Sequence, residues 1–334
     1  MRRLLAVILS ALILTPIQAT GATGDPLWSD AREGTHPAGT IGGLSIPLSA
    51  NSSETSVTML VSELPTVVEV YTATWCLNCI STEHALDEAI GNTSVSRIHY
   101  HRHWYETEDP FGSDSTEERW ENLYGTTSTL VGGLGRLAPT TVFDGERLHL
   151  GTAAKSGSLQ GDYSTSLAAG STHPYGDNSW LRLSLEESSD GIEFSYVFSG
   201  PEENTTPDFT CSVEVDCHHP NISRPGLVVS GMPYLLFVED SAYFPNGSNE
   251  IAHYLHVMHK AVPMPTFPAQ RLEGSMTIET PTPWDGDDMS AVLVYDWAIM
   301  TDDWSDEADS VIPAPGIVTL LCMLAALVPR RTSQ

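Results

Sequence analysis

The stretch from Val67 to Ile90, VVEVYTATWCLNCISTEHALDEAI, decides the fold. It opens with an apolar, β-branched and aromatic run, which predicts a buried strand. The sequence WCLNC follows at positions 75–79, and the residues after it place Ile80, Leu86 and Ile90 at spacings that suit one helical face. We therefore expect a strand that delivers two cysteines to the first turn of a helix.

The two cysteines form a C-x-x-C at this predicted helix N-terminus. Free amide groups and the positive end of the helix dipole favour a thiolate there, and the thiolate is the nucleophile. We predict that Cys76 is the exposed attacking residue and that Cys79, one turn later, resolves the mixed disulfide. A static bridge and half of a zinc site remain as alternatives, although the sequence has no second C-x-x-C to complete a zinc site.

Composition bounds the protein class. The chain has 334 residues, a length that accommodates two domains plus tails. Its hydrophobic fraction of 41% is enough to form a core. Its formal net charge is −28, and a surface this acidic repels phosphate backbones, so we expect no nucleic-acid partner. The same charge is typical of a salt-adapted protein that is solvated by its carboxylates.

The N-terminus predicts export. Residues 1–22 combine Arg2-Arg3, a short apolar run and small residues, which is the pattern of a signal peptide. An exported chain can form disulfides, and we predict a local one between Cys211 and Cys217, with a metal site that includes His218 and His219 as the alternative. Five N-x-S/T sequons fit a glycosylated surface; they begin at Asn51, Asn92, Asn204, Asn221 and Asn246.

Histidines mark a second predicted strand, SVSRIHYHRHW at positions 94–104. Because ligands gather at the carboxyl ends of strands in an open α/β sheet, His101 or His103 could lie near the thiols. A protonated histidine there would favour a thiolate, and a neutral one could bind copper or zinc. The alternative is that these are ordinary half-exposed strand histidines.

A second informative stretch is LAPTTVFDG at positions 137–145, an apolar strand that begins at Pro139 and ends in a hairpin turn signal. Together with the strand, Trp75 and the C-x-x-C, it resembles the thioredoxin superfamily. The resemblance implies that Pro139 is cis and lies beside Cys76, and that Ala138 offers backbone groups to an extended substrate. Trp75 and Thr140 complete the predicted substrate-binding residues.

The resemblance also directs attention to acidic and basic groups near the cysteines. Thioredoxin carries a buried acid in the strand before its cysteines, and that position is Val70 here, with Glu69 adjacent. Glu69 therefore joins His101 and His103 as an auxiliary candidate. A narrower resemblance covers positions 101–124, where HRHWYETEDPF and EERWENLY are similar to exported thioredoxin-like proteins of unassigned activity.

The second half of the chain has a different texture. Seven short alternating segments with turn signals follow Trp180, which predicts an all-β sandwich. The fold class we expect is an α/β thioredoxin-like domain followed by an all-β sandwich domain. The predicted ranges are a signal peptide at 1–22, a linker at 23–55, the thioredoxin-like domain at 56–170, the sandwich at 171–300, an acidic tether at 301–310 and a hydrophobic tail at 311–334.

The C-terminal tail predicts surface attachment. Residues 311–334 combine VIPAPG, an apolar run and Arg330-Arg331, and resemble the proline-containing sorting tails read by exosortases and archaeosortases. The resemblance implies cleavage near Pro315 and attachment to a lipid or the cell surface. The alternative is a plain C-terminal anchor, and in both cases the protein faces outward.

Three functional hypotheses follow. The first is an exported, surface-tethered thiol–disulfide oxidoreductase that acts on protein thiols and disulfides and needs neither a metal nor a cofactor. The second is a non-catalytic surface binding module with an inert bridge. The third is a copper-handling protein that uses Cys76, Cys79 and His103.

Overall fold

The computed structural model describes residues 26–34, 37–106, 108–189, 191–199, 227–265 and 272–301. Thirteen strands lie within these ranges: β1 Ser29–Asp30, β2 Ala38–Pro47, β3 Ser56–Leu60, β4 Thr66–Thr72, β5 Val95–His101, β6 Thr140–Phe143, β7 Arg147–Leu150, β8 Trp180–Ser188, β9 Gly191–Ser199, β10 Leu227–Tyr243, β11 His253–Pro263, β12 Leu272–Ile278 and β13 Met289–Thr301.

Four α-helices lie in the same described ranges: α1 Leu77–Ile90, α2 Asp114–Trp120, α3 Thr126–Gly132 and α4 Leu159–Ala169. A π-helical turn, Glu121–Gly125, joins α2 to α3, and a 3₁₀ turn, Val61–Glu63, precedes β4. Most residues of β4 are β-branched or apolar, which favours a buried strand. The helix α1 begins after Cys76, which has an extended backbone and caps the helix N-terminus.

The strands form two sheets. The larger sheet has nine strands in the order β1-β7-β6-β4-β5-β11-β10-β13-β2, and the smaller has four in the order β12-β9-β8-β3. The pairs β4–β5 and β5–β11 are parallel, and the other pairs are antiparallel. The nine-stranded sheet is therefore mixed.

The predicted fold class, a thioredoxin-like domain followed by a separate sandwich, is wrong. The described structure is mostly β, and one large mixed sheet takes strands from both predicted domains. The junction is the parallel contact between β5 and β11, with Val257 opposite His99. The edge of β5 is completed by a strand that lies more than a hundred residues further along the chain, and local sequence patterns carry no signal for such a pairing.

The range predicted as a linker, 23–55, contains β1 and β2. β2 pairs with β13 over most of its length, and its glycines interrupt the apolar pattern that would otherwise have marked it as a strand. The signal peptide, the acidic tether beyond Thr301 and the C-terminal tail lie outside the described residues. Within the described ranges, no helix is both long and apolar enough to cross a membrane.

Three of the hydrophobic clusters in the described part of the chain hold the layers together. One lies between the two sheets and draws on β2, β8, β9, β10 and β13. A second lies on a face of the nine-stranded sheet beneath Trp120 and Tyr124. The third packs α1 and α4 against β4 and β6, through Leu86, Tyr163 and Phe143. The helix α1 is thereby fixed on the sheet face opposite the second cluster, because Val68 and Val70 point to α1 while Val67 and Tyr71 point away.

Candidate functional site

A disulfide lies at the junction of β4 and α1. Cys76 and Cys79 are bonded with an S–S distance of 2.00 Å and a Cα–Cα distance of 5.3 Å. Cys76 is 5% exposed and Cys79 is fully buried. Cys76 is thus less exposed than predicted for an attacking residue, but it is the member of the pair that keeps contact with solvent.

The disulfide occupies the N-terminus of α1. Cys76 is the N-cap residue, in extended conformation with φ −83° and ψ 94°. Its Sγ accepts a hydrogen bond from the Cys79 backbone N–H at 3.2 Å. A negative charge on this sulfur would face an amide donor and the positive end of the helix dipole, so a reduced Cys76 is placed to be a thiolate.

Two of the predicted substrate-binding residues surround the disulfide. Trp75 and Ala138 pack against the cluster of Ala73, Cys76 and Cys79. The peptide bond from Ala138 to Pro139 is cis. The structure therefore brings Trp75, Ala138 and both cysteines together from two distant parts of the sequence.

The third predicted substrate-binding residue, Thr140, follows the cis peptide bond. It is 1% exposed, and its hydroxyl donates to the Leu137 carbonyl oxygen at 2.5 Å.

Trp75 is held by its indole N–H, which donates to Glu106 Oε2 at 2.8 Å, and by the Arg102 guanidinium, 5.8 Å from its ring centre. The Trp75 ring is thus anchored beside the disulfide by charged groups of the loop that follows β5.

His101 is buried near the site and is paired. It ends β5 opposite Thr72 of β4. Its Nδ1 lies 2.8 Å from Asp109 Oδ2, and Asp109 also accepts the Thr74 backbone N–H at 2.8 Å. His101 Nε2 is buried without a hydrogen-bond partner. Sequence reasoning missed Asp109, whose Asp-Pro pair reads as a polar turn and gives no sign that the carboxylate faces inward.

Two auxiliary candidates lie elsewhere. His103 Nε2 is 3.5 Å from Asp114 Oδ1 at a partly exposed position. Glu69 accepts hydrogen bonds from Tyr100 and Tyr124 and lies 3.2 Å from Arg119, on the sheet face opposite α1. The structure does not bring Glu69 to the cysteines, because alternation along β4 turns it away from them.

Glu83 is an acidic group near the site that sequence reasoning missed. It lies on α1 one turn after Cys79, and its Oε1 accepts a hydrogen bond from the Thr72 hydroxyl at 2.9 Å. Burial raises the pKa of Glu83 above the usual value for a carboxyl group. The signal that could have found it is the i, i+4 spacing from Cys79, which places both side chains on one helix face.

Other predicted groups fall outside this site. Cys211 and Cys217, with their predicted disulfide, lie outside the described residues. Within the described ranges, no group of three or more His, Cys, Asp or Glu side chains is arranged to hold a metal ion.

Comparison with known proteins found structural neighbours of low similarity. No family model matches the chain, and the search of curated proteins found no match. A crystal structure of an Agrobacterium tumefaciens protein from a structural genomics programme is 15% identical, with a TM-score of 0.39, and the match covers 64% of this chain and 78% of that one. HBP35 of Porphyromonas gingivalis is 13% identical, also with a TM-score of 0.39, over 69% of this chain and 68% of that one. Both TM-scores are too low to support a fold assignment.

Proposed function

We propose that the protein is an exported thiol–disulfide oxidoreductase that uses the Cys76–Cys79 pair. The observation that carries the proposal is the position of Cys76 Sγ, which caps α1 and accepts the Cys79 N–H at 3.2 Å. An amide donor and the helix dipole lower the free energy of the thiolate, and the thiolate is the reactive form in disulfide exchange.

The reaction needs two steps. The Cys76 thiolate attacks one sulfur of a substrate disulfide, the substrate S–S bond breaks, and its electron pair leaves on the other substrate sulfur. The Cys79 thiolate then attacks Cys76 Sγ, which re-forms the protein disulfide and releases the second substrate thiol. The exposure of the pair supports this assignment, because Cys79 is fully buried and an incoming sulfur can reach only Cys76.

The remaining parts of the proposal rest on the sequence. Residues 1–22 would direct export, and residues 311–334 would attach the protein to a lipid or the cell surface. The partners would be protein thiols and disulfides outside the cell. Cell fractionation before and after removal of residues 311–334 tests the attachment, since loss of the tail should release the protein into the medium.

Substitution of the cysteines tests the chemistry. We expect the reduced protein to catalyse insulin reduction by dithiothreitol and Cys76→Ser to lower the rate to that of dithiothreitol alone. Cys79→Ser should instead accumulate a mixed disulfide at Cys76, because no resolving thiol remains. Equal rates for the wild-type protein and Cys76→Ser would refute the proposal.

The low exposure of the disulfide favours a second candidate, a surface binding module with an inert bridge. Only 5% of Cys76 is accessible. The reduction potential separates the two functions, since structural disulfides in secreted proteins have potentials below about −300 mV and catalytic ones lie higher. A potential below that limit, together with slow alkylation of reduced Cys76, would favour the binding module.

A further inference from the structure

The loop between β4 and α1 sets the position of Cys76. The Cys76 N–H donates to the Ala73 carbonyl oxygen at 3.0 Å, which closes the turn that leads into the helix. The Thr74 N–H is held from one side by Asp109 at 2.8 Å. Whatever fixes the carbonyl groups of Ala73 and Thr74 therefore also fixes the sulfur that caps α1.

The connection between β10 and β11 reaches these two carbonyl groups. Asn249 donates its backbone N–H to the Thr74 oxygen at 3.2 Å and its Nδ2 to the Ala73 oxygen at 3.4 Å. The Tyr254 hydroxyl lies 2.7 Å from Asn249 Oδ1, 3.2 Å from the Thr74 oxygen and 3.4 Å from the Ile251 oxygen, and it can donate to one of them at a time. Asn249 thus supplies two donors to the backbone next to Cys76, and the Tyr254 hydroxyl either holds the Asn249 side chain or donates to the same backbone.

These contacts are buried and closely fitted. Asn249 is 2% exposed and Tyr254 is 5% exposed. A Cβ atom on Gly247 would lie 2.0 Å from the Tyr254 hydroxyl and 2.8 Å from the Thr74 oxygen, so only glycine allows the connection to approach this closely. On its other side, the Tyr254 ring contacts His101 and Phe111, with ring centres 5.7 and 5.4 Å away.

We propose that Asn249 and Tyr254 are positioning residues of the disulfide site, which hold the Ala73 and Thr74 carbonyl groups and so keep Cys76 Sγ over the Cys79 N–H. The inference goes beyond the proposed function, because it assigns part of the site to a chain segment more than 150 residues away. It concerns the Cys76–Cys79 couple itself and needs no particular substrate.

The positioning matters most in the reduced protein. In the oxidised form the S–S bond itself holds the two sulfurs together, whereas in the dithiol form the Cys76 sulfur is kept at the helix N-terminus by the backbone around it and by the packing of Trp75 and Ala138. Loss of the contacts should destabilise the reduced form relative to the oxidised one. The equilibrium with glutathione should then shift toward the disulfide, and the Cys76 thiolate should become less populated.

Tyr254→Phe tests this, because it removes the hydroxyl and keeps the ring packing. The matched control is Tyr243→Phe, at an exposed position at the end of β10. We expect Tyr254→Phe to shift the equilibrium constant with glutathione toward the disulfide by up to about fivefold, the factor for one hydrogen bond that is needed fully in the reduced form. It should slow alkylation of reduced Cys76 at pH 7 to a similar extent, as followed by mass spectrometry of the Cys76 peptide. Tyr243→Phe should change neither.

A purely structural role predicts a different result. In that case Tyr254→Phe would lower the melting temperature and leave the glutathione equilibrium and the alkylation rate unchanged, which would overturn the inference. Asn249→Ala provides a second measurement if Tyr254→Phe does not fold, with the same shift expected. Failure of the proposed function would be seen separately, as insulin reduction that persists in Cys76→Ser, since the glutathione equilibrium does not depend on turnover.

Discussion

Glu83 is a half-buried carboxyl group one helical turn from the disulfide. Burial raises its pKa above 4.5, and the Thr72 hydrogen bond, His101 and Arg97 only partly oppose the effect, while Asp87 adds to it. The folded protein therefore keeps the Glu83 proton at pH values at which the unfolded chain has lost it. Stability from this group is fully present below pH 4.5 and is lost as the pH rises through the folded pKa.

Glu83→Gln should remove this pH dependence, because glutamine accepts the Thr72 hydrogen bond and has no charge to bury. We expect the variant to gain stability relative to the wild type as the pH rises from 4 to 7, as measured by urea denaturation at each pH. Glu63→Gln, at an exposed position of the 3₁₀ turn before β4, is the control and should show no such gain. A constant difference between Glu83→Gln and wild type across this range would contradict the prediction.

At the residue scale, sequence reasoning worked where the signal is local. The order of strand, cysteine pair and helix placed Cys76 at a helix start, and the family resemblance implied the cis bond at Pro139 that the structure contains. Glu69 is an auxiliary candidate because it is adjacent in sequence to Val70. Alternation along β4 points its side chain to the sheet face opposite α1, away from the cysteines. Asp109 and Asn249 were missed because their partners are backbone groups that become neighbours only in the folded chain.

At the scale of elements, β2 shows why a strand can read as a linker. Its sequence AGTIGGLSIP carries glycine where the chain comes close to β13. Gly42 has φ +128°, and a Cβ atom there would lie 2.5 Å from the Leu293 carbonyl oxygen and 2.8 Å from Val294 Cα. The register between β2 and β13 shifts between Leu293 and Val294, so Gly42 lies opposite an irregularity that glycine accommodates.

Gly42→Ala should therefore destabilise the protein by about 2–4 kcal/mol, because both the backbone conformation and the contact with β13 are unfavourable for a Cβ atom. Guanidinium denaturation monitored by circular dichroism measures the change. Gly157→Ala is a matched control, since a Cβ atom at Gly157 meets nothing within 4 Å, and it should change stability by less than about 0.5 kcal/mol. Equal stabilities of the two variants would show that β2 does not pair with β13 as described.

At the scale of the whole molecule, the two predicted domains share a hydrophobic cluster and a cluster of buried ion pairs. The cluster combines Val67 and Tyr100 from the first range with Leu236, Met258 and Val294 from the second. Sequence patterns identified most of the strands on both sides but not their partners, because periodicity reports which face of a strand is buried and not which strand lies beside it.

The cluster of buried ion pairs crosses the predicted domain boundary. Arg119 of α2 lies 3.2 Å from Glu69 of β4 and 3.0 Å from Asp296 of β13, and all three side chains are almost fully buried. Arg32 contacts the same Asp296 at 2.8 Å. Without β13, Arg119 would still pair with Glu69 but would lose its ion pair with Asp296. Removing one partner of a buried ion pair costs about 3–5 kcal/mol.

Residues 56–170 expressed alone should therefore not fold cooperatively. Removal of the remaining chain would expose the edge of β5, leave Arg119 without Asp296 and uncover Val67 and Tyr100, a loss comparable to the 5–15 kcal/mol total stability of a typical domain. We expect no cooperative thermal transition for this fragment by near-UV circular dichroism, and a single transition for the whole chain. A fragment that melts cooperatively and keeps dispersed amide resonances would show that the first range is an independent domain, and that the continuous sheet adds stability without being required for the fold.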